Sequence, residues 1–196
     1  MPTLLIRFLL FVIAATHLSS NGQSANQIEY FGYYYFSASD SNGLVVSSVP
    51  RDLSATEANV AQTLANDYQT MIVNRAKGIK SMPAHVMNDY LYNDAAPCQM
   101  KSDLTNYYTW RSDIRAQLSS NVAHYVAAFY LADEPYHWLL GKGCSTTQIA
   151  TFLNSAALQL KADFPGIPIA VVESQNFAIQ VPGAFPVQLD WIGYNC

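Results

Sequence analysis

The sequence predicts a single α/β domain built on a parallel β-sheet, and three observations support this fold class. Short apolar runs alternate along the chain with longer segments of helical periodicity, which is the pattern of βαβ units. The run from Val126 to Leu131 carries no charge, as expected for a strand that is buried on both faces of a parallel sheet. Several of the predicted strands end at a polar or acidic residue.

Length, composition and charge limit the classes of protein to consider. A chain of 196 residues is long enough for one domain with a proper core. With 51% hydrophobic and 12% charged residues, the composition is globular. The net charge of -4 and the absence of a Lys/Arg cluster argue against a nucleic-acid partner, because phosphate binding requires a basic surface.

Residues 1–24 are predicted to be a signal peptide. The segment Leu4–Ala15 is apolar apart from Arg7, has the length of a signal-peptide core and is too short to span a bilayer. A small, polar run follows, and cleavage is expected within Ser20–Ala25. Because Arg7 lies within the apolar core and not before it, a retained membrane anchor is the alternative. We expect a secreted or periplasmic mature protein, residues 25–196, without a membrane partner.

The first half of the mature chain predicts two strands and one helix. Ile28–Phe36 is rich in aromatic strand formers and predicts the first strand. Ser54–Glu57 has the form of a capping box and apolar residues follow at helical spacing, which predicts a helix that ends at Lys77, before Gly78. The next strand is predicted over Ile79–Met87, with the polar run Asn88–Tyr90 at its end.

The second half continues the alternation. A helix is predicted over residues 104–118, and the strand that follows should end at Glu134, because Pro135 has no N–H to donate. A second capping box, Ser145–Gln148, predicts a helix that stops at Phe164–Gly166. The predicted inward-facing residues of these two helices are Leu104, Tyr107, Arg111, Ile114 and Leu118, and then Ile149, Phe152, Leu153, Ala156 and Leu160. Ile167–Val172, which precedes Glu173, and Leu189–Tyr194 are the last predicted strands, and residues 174–188 are predicted to be irregular.

Two parallel architectures compete, an open doubly wound sheet and a closed (β/α)8 barrel. The first predicted strand is followed by neither a glycine fingerprint nor a phosphate loop, so nucleotide binding has no support. A site assembled from the ends of many strands is characteristic of the barrel. We therefore predict a TIM barrel in which about five or six strands are present.

The three cysteines fit an oxidising compartment. Their spacing matches no zinc pattern. Cys98 and Cys144 each lie in a loop after a predicted strand, which favours a disulfide between them and leaves Cys196 unpaired.

The sequence Leu131-Ala132-Asp133-Glu134-Pro135 resembles the end of the fourth strand in the TIM-barrel glycoside hydrolase superfamily, where an Asn-Glu-Pro motif carries the acid/base glutamate. The resemblance implies that Glu134 protonates the leaving glycosidic oxygen and later activates water. Asp133, the second candidate catalytic residue, stands at the position of the family's asparagine, which is a departure from the pattern. The match extends loosely to Gly32–Tyr35, Gly78–Lys80, Ile167–Glu173 and Asp190–Tyr194.

The resemblance also changes two expectations about the chain. The family pattern places a strand near Asn59–Thr63, where periodicity predicts a helix, so both alternatives stand. In the resembling enzymes the nucleophilic carboxylate ends the seventh strand. We therefore expect the nucleophile beyond Cys196 and the chain to be an amino-terminal fragment.

Other side chains are candidates for contact with a sugar. Glu173 is a candidate second carboxylate or substrate ligand, and loop capping is the alternative for the polar candidates. The polar candidates for a sugar subsite are Asn88, Asp89 and Tyr194, and the aromatic candidates for stacking, for which core packing is the alternative, are Tyr33, Tyr35, Tyr136 and Trp138. His85 and His137 lack a second ligand at metal spacing, so no metal and no cofactor are expected.

The predicted function is that of an exported glycoside hydrolase acting on a polysaccharide or glycoconjugate, with carbohydrate as the partner. The alternative is a non-catalytic carbohydrate-binding or cell-surface protein on a decayed barrel. It is suggested by Asp133 in place of the asparagine and by the short chain.

Overall fold

A computed structural model of the protein describes residues 10–12, 31–33, 59–174 and 186–195, with side chains for 59–174 and 186–193. Five parallel strands, β3 to β7, form the main sheet, and two short strands extend it beyond β3, first β2 and then β1. β2 is parallel to β3, and β1 is antiparallel to β2. The strands are β1 Leu10–Val12, β2 Phe31–Tyr33, β3 Val60–Leu64, β4 Lys80–Ala84, β5 Phe129–Asp133, β6 Ile169–Ser174 and β7 Trp191–Asn195.

The strands follow one another in the sheet in the order of the chain. Between them lie helices and one π-helical turn: α1 Tyr68–Ala76, the turn Met87–Leu91, α2 Thr105–Gln117, α3 Val122–Tyr125, α4 Pro135–Gly141 and α5 Thr146–Asp163. The predicted α/β class with a parallel sheet is confirmed. The predicted capping box of α5 is present, since Ser145 and Gln148 exchange hydrogen bonds of 2.8 and 3.3 Å.

The helix predicted from Ser54 to Lys77 is wrong over Val60–Leu64, which forms β3 between β2 and β4. Residues 60 and 64 have the spacing of a helix, but a β-strand with one buried face fits them equally well, and pairing along all five residues of β4 decides the outcome. The helix starts later, at Tyr68, where Asp67 caps it by accepting a 3.1 Å hydrogen bond from Thr70 N–H. The strand that the family resemblance implied near this position is therefore present.

The strand predicted over Ile79–Met87 is shorter than expected and ends at Ala84. His85 has a positive φ of 62°, which turns the chain out of the sheet. The residues that follow form the π-helical turn, and the Asp89 N–H donates to the His85 carbonyl at 2.9 Å. The polar run that was expected at the strand end therefore lies on this turn.

Two clusters of buried residues lie on opposite faces of the sheet. The larger cluster packs the sheet against the helices and contains the predicted inward residues of α5, together with Tyr107 and Ile114 of α2. Trp110, which was not predicted to face inward, is also buried there and donates to the Ala65 carbonyl at 2.8 Å. The smaller cluster consists of strand residues and the two alanines before β5: Val60, Ala84, Ala127, Ala128, Tyr130, Ala170, Val172 and Trp191.

Asp163, the last residue of α5, links α5 to α2 at a position away from the carboxyl ends of the strands. Its carboxylate accepts hydrogen bonds from Tyr107 Oη at 2.8 Å and from Arg111 at 2.7 Å. Among the described residues, no helix combines the length and apolar character that crossing a membrane requires. The predictions for residues 1–9, 13–30, 34–58, 175–185 and 196, which include most of the signal segment, lie outside the described residues.

Candidate functional site

The carboxyl ends of β4, β5 and β6, three adjacent parallel strands, bring together His85, Asp133, Glu134 and Glu173. We call this region the carboxyl edge. Asp133 pairs with Val172 in the sheet, so Glu173 follows directly on the neighbouring strand. In parallel α/β folds, ligands bind at this end of the strands.

A β-bulge in β5 determines where Asp133 points. Tyr130 pairs with Ala170 and Ala132 pairs with Val171, so Leu131 is an extra residue on β5. Leu131 and Ala132 both face the helices, whereas Tyr130 faces the opposite side of the sheet. The bulge therefore returns Asp133 to the face of Tyr130, whose hydroxyl donates to Asp133 Oδ1 at 2.9 Å.

Glu134 links the end of β5 to the start of α4. Its backbone is left-handed, with φ 43° and ψ 49°, a conformation that costs a non-glycine residue about 1–2 kcal/mol. The Glu134 N–H donates to the Val172 carbonyl at 2.7 Å. Pro135 occupies the first turn of α4, where its missing N–H is tolerated. The predicted end of the strand at this point is confirmed.

Glu173 is completely enclosed, with 0% of its surface exposed. Its Oε2 accepts from Tyr136 N–H at 3.0 Å, and its Oε1 accepts from Ser174 N–H at 3.1 Å. Burial raises the pKa of the Glu173 carboxyl; these two donors oppose the shift, and the charges of Glu134 and Asp133 add to it. In this arrangement the carboxylate binds backbone N–H groups and does not line an open surface as a substrate ligand would.

His85 lies at the carboxyl edge because it follows directly on the end of β4 at Ala84. Like Glu134, it has a positive φ. Its ring centroid lies 6.3 Å from that of Tyr130. Burial raises the pKa of the Asp89 carboxyl, and His85 opposes this shift. From the sequence, His85 was a candidate only for a metal ligand, because the strand was predicted to continue to Met87 and its end at Ala84 was not visible. In the parts of the chain with described side chains, no three acidic, histidine or cysteine residues are arranged to hold a metal ion.

The other predicted residues are placed differently. Asn88 and Asp89 are exposed on the π-helical turn. The prediction that Tyr136 stacks on a sugar is wrong here, because its side chain is 0% exposed in the core, where burial and the charge of Glu173 raise its pKa to about 12. Tyr33 and Tyr194 lie in β2 and β7, but their side chains, and Tyr35 as a whole, are outside the described residues.

Trp138 connects the carboxyl edge to the loop after β4. Its ring packs edge-on against Tyr92 at 5.0 Å, and its indole N–H donates to the Asp133 carbonyl at 3.1 Å. Trp138 is half-buried, and these contacts make it part of the support of the site. His137 is exposed on α4.

The structure contains the disulfide that the sequence favoured, between Cys98 and Cys144, with an S–S distance of 2.11 Å. It ties the loop after the π-helical turn to the loop between α4 and α5. Both loops follow strands of the carboxyl edge, so the bond fixes two walls of the same region relative to each other.

Fold and site together define an α/β protein with an acidic site at the carboxyl edge of a parallel sheet. No family model and no curated protein matches this chain.

Proposed function

We propose that the chain forms part of a (β/α)8 barrel and acts as an exported glycoside hydrolase, with Glu134 as the general acid and base. The observation that carries this proposal is the position of Glu134. It is a half-buried carboxylic acid held in a left-handed conformation where a buried parallel strand ends.

Two features of the sheet support a barrel over a doubly wound sheet. The strand order follows the chain without the reversal that creates a switch point in doubly wound folds. The described helices also pack on one face, whereas a doubly wound sheet has helices on both faces. The opposite face is filled by strand side chains, and even the large ring of Trp191 is only 7% exposed there. Strands that bury side chains against one another in this way are typical of a barrel interior.

The chemistry of glycoside hydrolysis requires an acid that donates a proton to the leaving oxygen and then takes one from water. Glu134 has the functional group for both steps. Asp133 precedes it, and the bulge directs the Asp133 carboxylate to the barrel face, where Tyr130 already occupies Oδ1. We propose that Oδ2 of Asp133 accepts a sugar hydroxyl, which is the function that the family's asparagine performs.

The surroundings of Glu134 favour a fixed geometry. Its N–H is held by the Val172 carbonyl at 2.7 Å, and its own carbonyl accepts from Trp138 N–H at 3.3 Å. A preorganised acid of this kind contributes to catalysis because little reorganisation is needed during the reaction.

The test is hydrolysis by the longest protein that the gene encodes, with Glu134→Gln as the variant and Asp113→Asn, an exposed acid on α2, as the matched control. Polysaccharides and aryl glycosides serve as substrates. Glu134→Gln should slow the release of poor leaving groups by about 10²–10⁴-fold, because general acid catalysis is worth that much. Dinitrophenyl glycosides have a leaving group that needs little protonation, so Glu134→Gln should slow the first step on these substrates far less. Equal hydrolysis by Glu134→Gln and wild type on all substrates would contradict the proposal.

The second candidate is a carbohydrate-binding protein without hydrolytic activity. The observation that favours it is Asp133, a carboxylate where the resembling enzymes have an amide. Glycan binding by calorimetry without product release, in wild type and Glu134→Gln alike, would support this candidate over the first.

A further inference from the structure

The buried carboxylate of Glu173 has no place in the proposed reaction, although it lies next to the residue that does. Its two oxygens accept from two backbone N–H groups, those of Tyr136 at 3.0 Å and Ser174 at 3.1 Å. Tyr136 is two residues after Glu134, in the first turn of α4. Glu173 therefore binds the backbone of the segment that Glu134 begins.

The end of β6 holds the Glu134 segment at two points. Val172 accepts the N–H of Glu134 at 2.7 Å, and Glu173 accepts the N–H of Tyr136. The left-handed backbone of Glu134 carries a cost of about 1–2 kcal/mol, so it persists only where its surroundings fix it. The hydrogen bond that Val172 accepts is a backbone interaction, whereas the one that Glu173 accepts depends on a side chain.

We propose that Glu173 is a positioning residue for Glu134: its enclosed carboxylate fixes the first turn of α4 and thereby holds Glu134 at the carboxyl edge. This inference rests on the proposed function for its catalytic consequence. Its structural part, that Glu173 sets the backbone of Glu134, is measurable without any activity.

The ionised form of Glu173 is the better acceptor for two N–H donors, because a protonated carboxyl oxygen accepts more weakly. The groups that face it are Asp133 at the end of β5, Glu134 between β5 and α4, and Tyr136 from α4. Burial and the two acids raise the pKa of Glu173 above its ordinary value of 4.5. Titration of Glu173 should therefore loosen the first turn of α4 as the pH falls through this raised pKa.

The experiment follows the backbone amide resonances of Glu134 and Tyr136 by NMR across pH 4 to 8, in wild type and Glu173→Gln. Both resonances should titrate in wild type with one midpoint above 4.5. This midpoint should disappear from both resonances in Glu173→Gln, which carries no titratable group at this position. In the same variant kcat should fall by about 100-fold with a smaller change in KM, as expected for a displaced catalytic group.

Asp163→Asn is the matched control, since Asp163 is another carboxylate that accepts several hydrogen bonds but lies away from the carboxyl edge. It should lower stability without moving the Glu134 and Tyr136 resonances or the pH profile of kcat. If Glu173→Gln fails to fold, Glu173→Asp and the wild-type titration supply the same test, since the shorter side chain should weaken the contact with Tyr136.

Unchanged Glu134 resonances, both during the titration and in the variant, would overturn the positioning role. A Glu134 resonance that titrates with Glu173 supports that role even if the wild type hydrolyses no glycoside, and in that case only the proposed function fails.

Discussion

The hydroxyl of Tyr130 donates a 2.9 Å hydrogen bond to Asp133, three residues further along the same strand. Residues three apart in a regular strand face opposite sides of the sheet. The contact exists because the extra residue at Leu131 shifts the alternation by one position. A buried tyrosine on the face of the sheet opposite the helices thereby supports a carboxylate at the carboxyl edge.

Tyr130→Phe tests this support. Loss of the hydroxyl should lower the free energy of unfolding by about 1 kcal/mol and raise KM for a sugar substrate, since Asp133 loses the donor that orients it. Urea denaturation and steady-state kinetics measure the two effects. Tyr108→Phe, at an exposed position on α2, is the control and should change neither.

Asp133→Asn restores the residue that the resembling enzymes carry. The amide oxygen can still accept from Tyr130, so stability should change by less than about 1 kcal/mol. Hydrolysis should be retained or improved if Asp133 binds a sugar hydroxyl. A loss of hydrolysis as large as that of Glu134→Gln would assign an essential charge to Asp133.

Glu134→Gly should stabilise the fold while it abolishes acid/base function. Glycine adopts a left-handed backbone without the cost of about 1–2 kcal/mol that Glu134 bears, so the melting temperature should rise relative to Glu134→Ala. Ser119→Gly is the control, because Ser119 has a similar φ of 54° in the segment between α2 and α3. Ser119→Gly should gain stability without losing activity. A Glu134→Gly variant that melts below Glu134→Ala would contradict the strained backbone at Glu134.

The stability of Glu173→Gln relative to wild type should depend on pH. The folded protein holds the Glu173 proton more tightly than the unfolded chain does, because burial raises its pKa above 4.5. The stabilising contribution of that proton is present below pH 4.5 and is lost as the pH rises through the raised pKa. Glu173→Gln has no such loss, so its free energy of unfolding should rise relative to that of wild type between acidic and neutral pH. Chemical denaturation at several pH values measures the difference, and parallel curves would contradict the raised pKa.

Removal of the disulfide by the double substitution Cys98→Ser and Cys144→Ser should destabilise the protein strongly. The bond spans a sequence separation of 46 residues. Closure of a loop of this size accounts for about 4 kcal/mol in the chain-entropy estimate. Thermal unfolding with and without reductant checks the value, and the variant itself should be insensitive to reductant.

Elements with strong local signals were predictable from the sequence. The capping box at Ser145, the stop at Phe164 and the apolar run before Glu134 each specify their structure locally. β3 was not predictable in this way, because Val60–Leu64 fits the periodicity of a helix as well as that of a strand. Only its neighbours in the sheet select the strand. The short helices α3 and α4 and the π-helical turn were also missed, since they have few residues to establish a period.

In the candidate site, the end of the strand before Glu134 was predictable, and its surroundings were less so. The strand that ends at Glu134 is visible because an apolar run meets a proline. The enclosure of Glu173, the burial of Tyr136 and the bulge at Leu131 depend on contacts between distant segments. No local pattern encodes these contacts, so the sequence left open whether Tyr136 packs in the core or stacks on a sugar, and whether Glu173 contacts a substrate.

From β2 to β7, each strand pairs with the strand that precedes it in the chain. During translation, each new strand can therefore pair with a neighbour that has already been synthesised, and none needs a later strand in order to join the sheet. The hydrogen bonds that Val172 and Glu173 accept from the Glu134 segment can form only once β6 has been synthesised, about forty residues later. The nascent protein should thus complete its sheet strand by strand, and the backbone of Glu134 should be fixed only after β5 and α4, when β6 has joined the sheet.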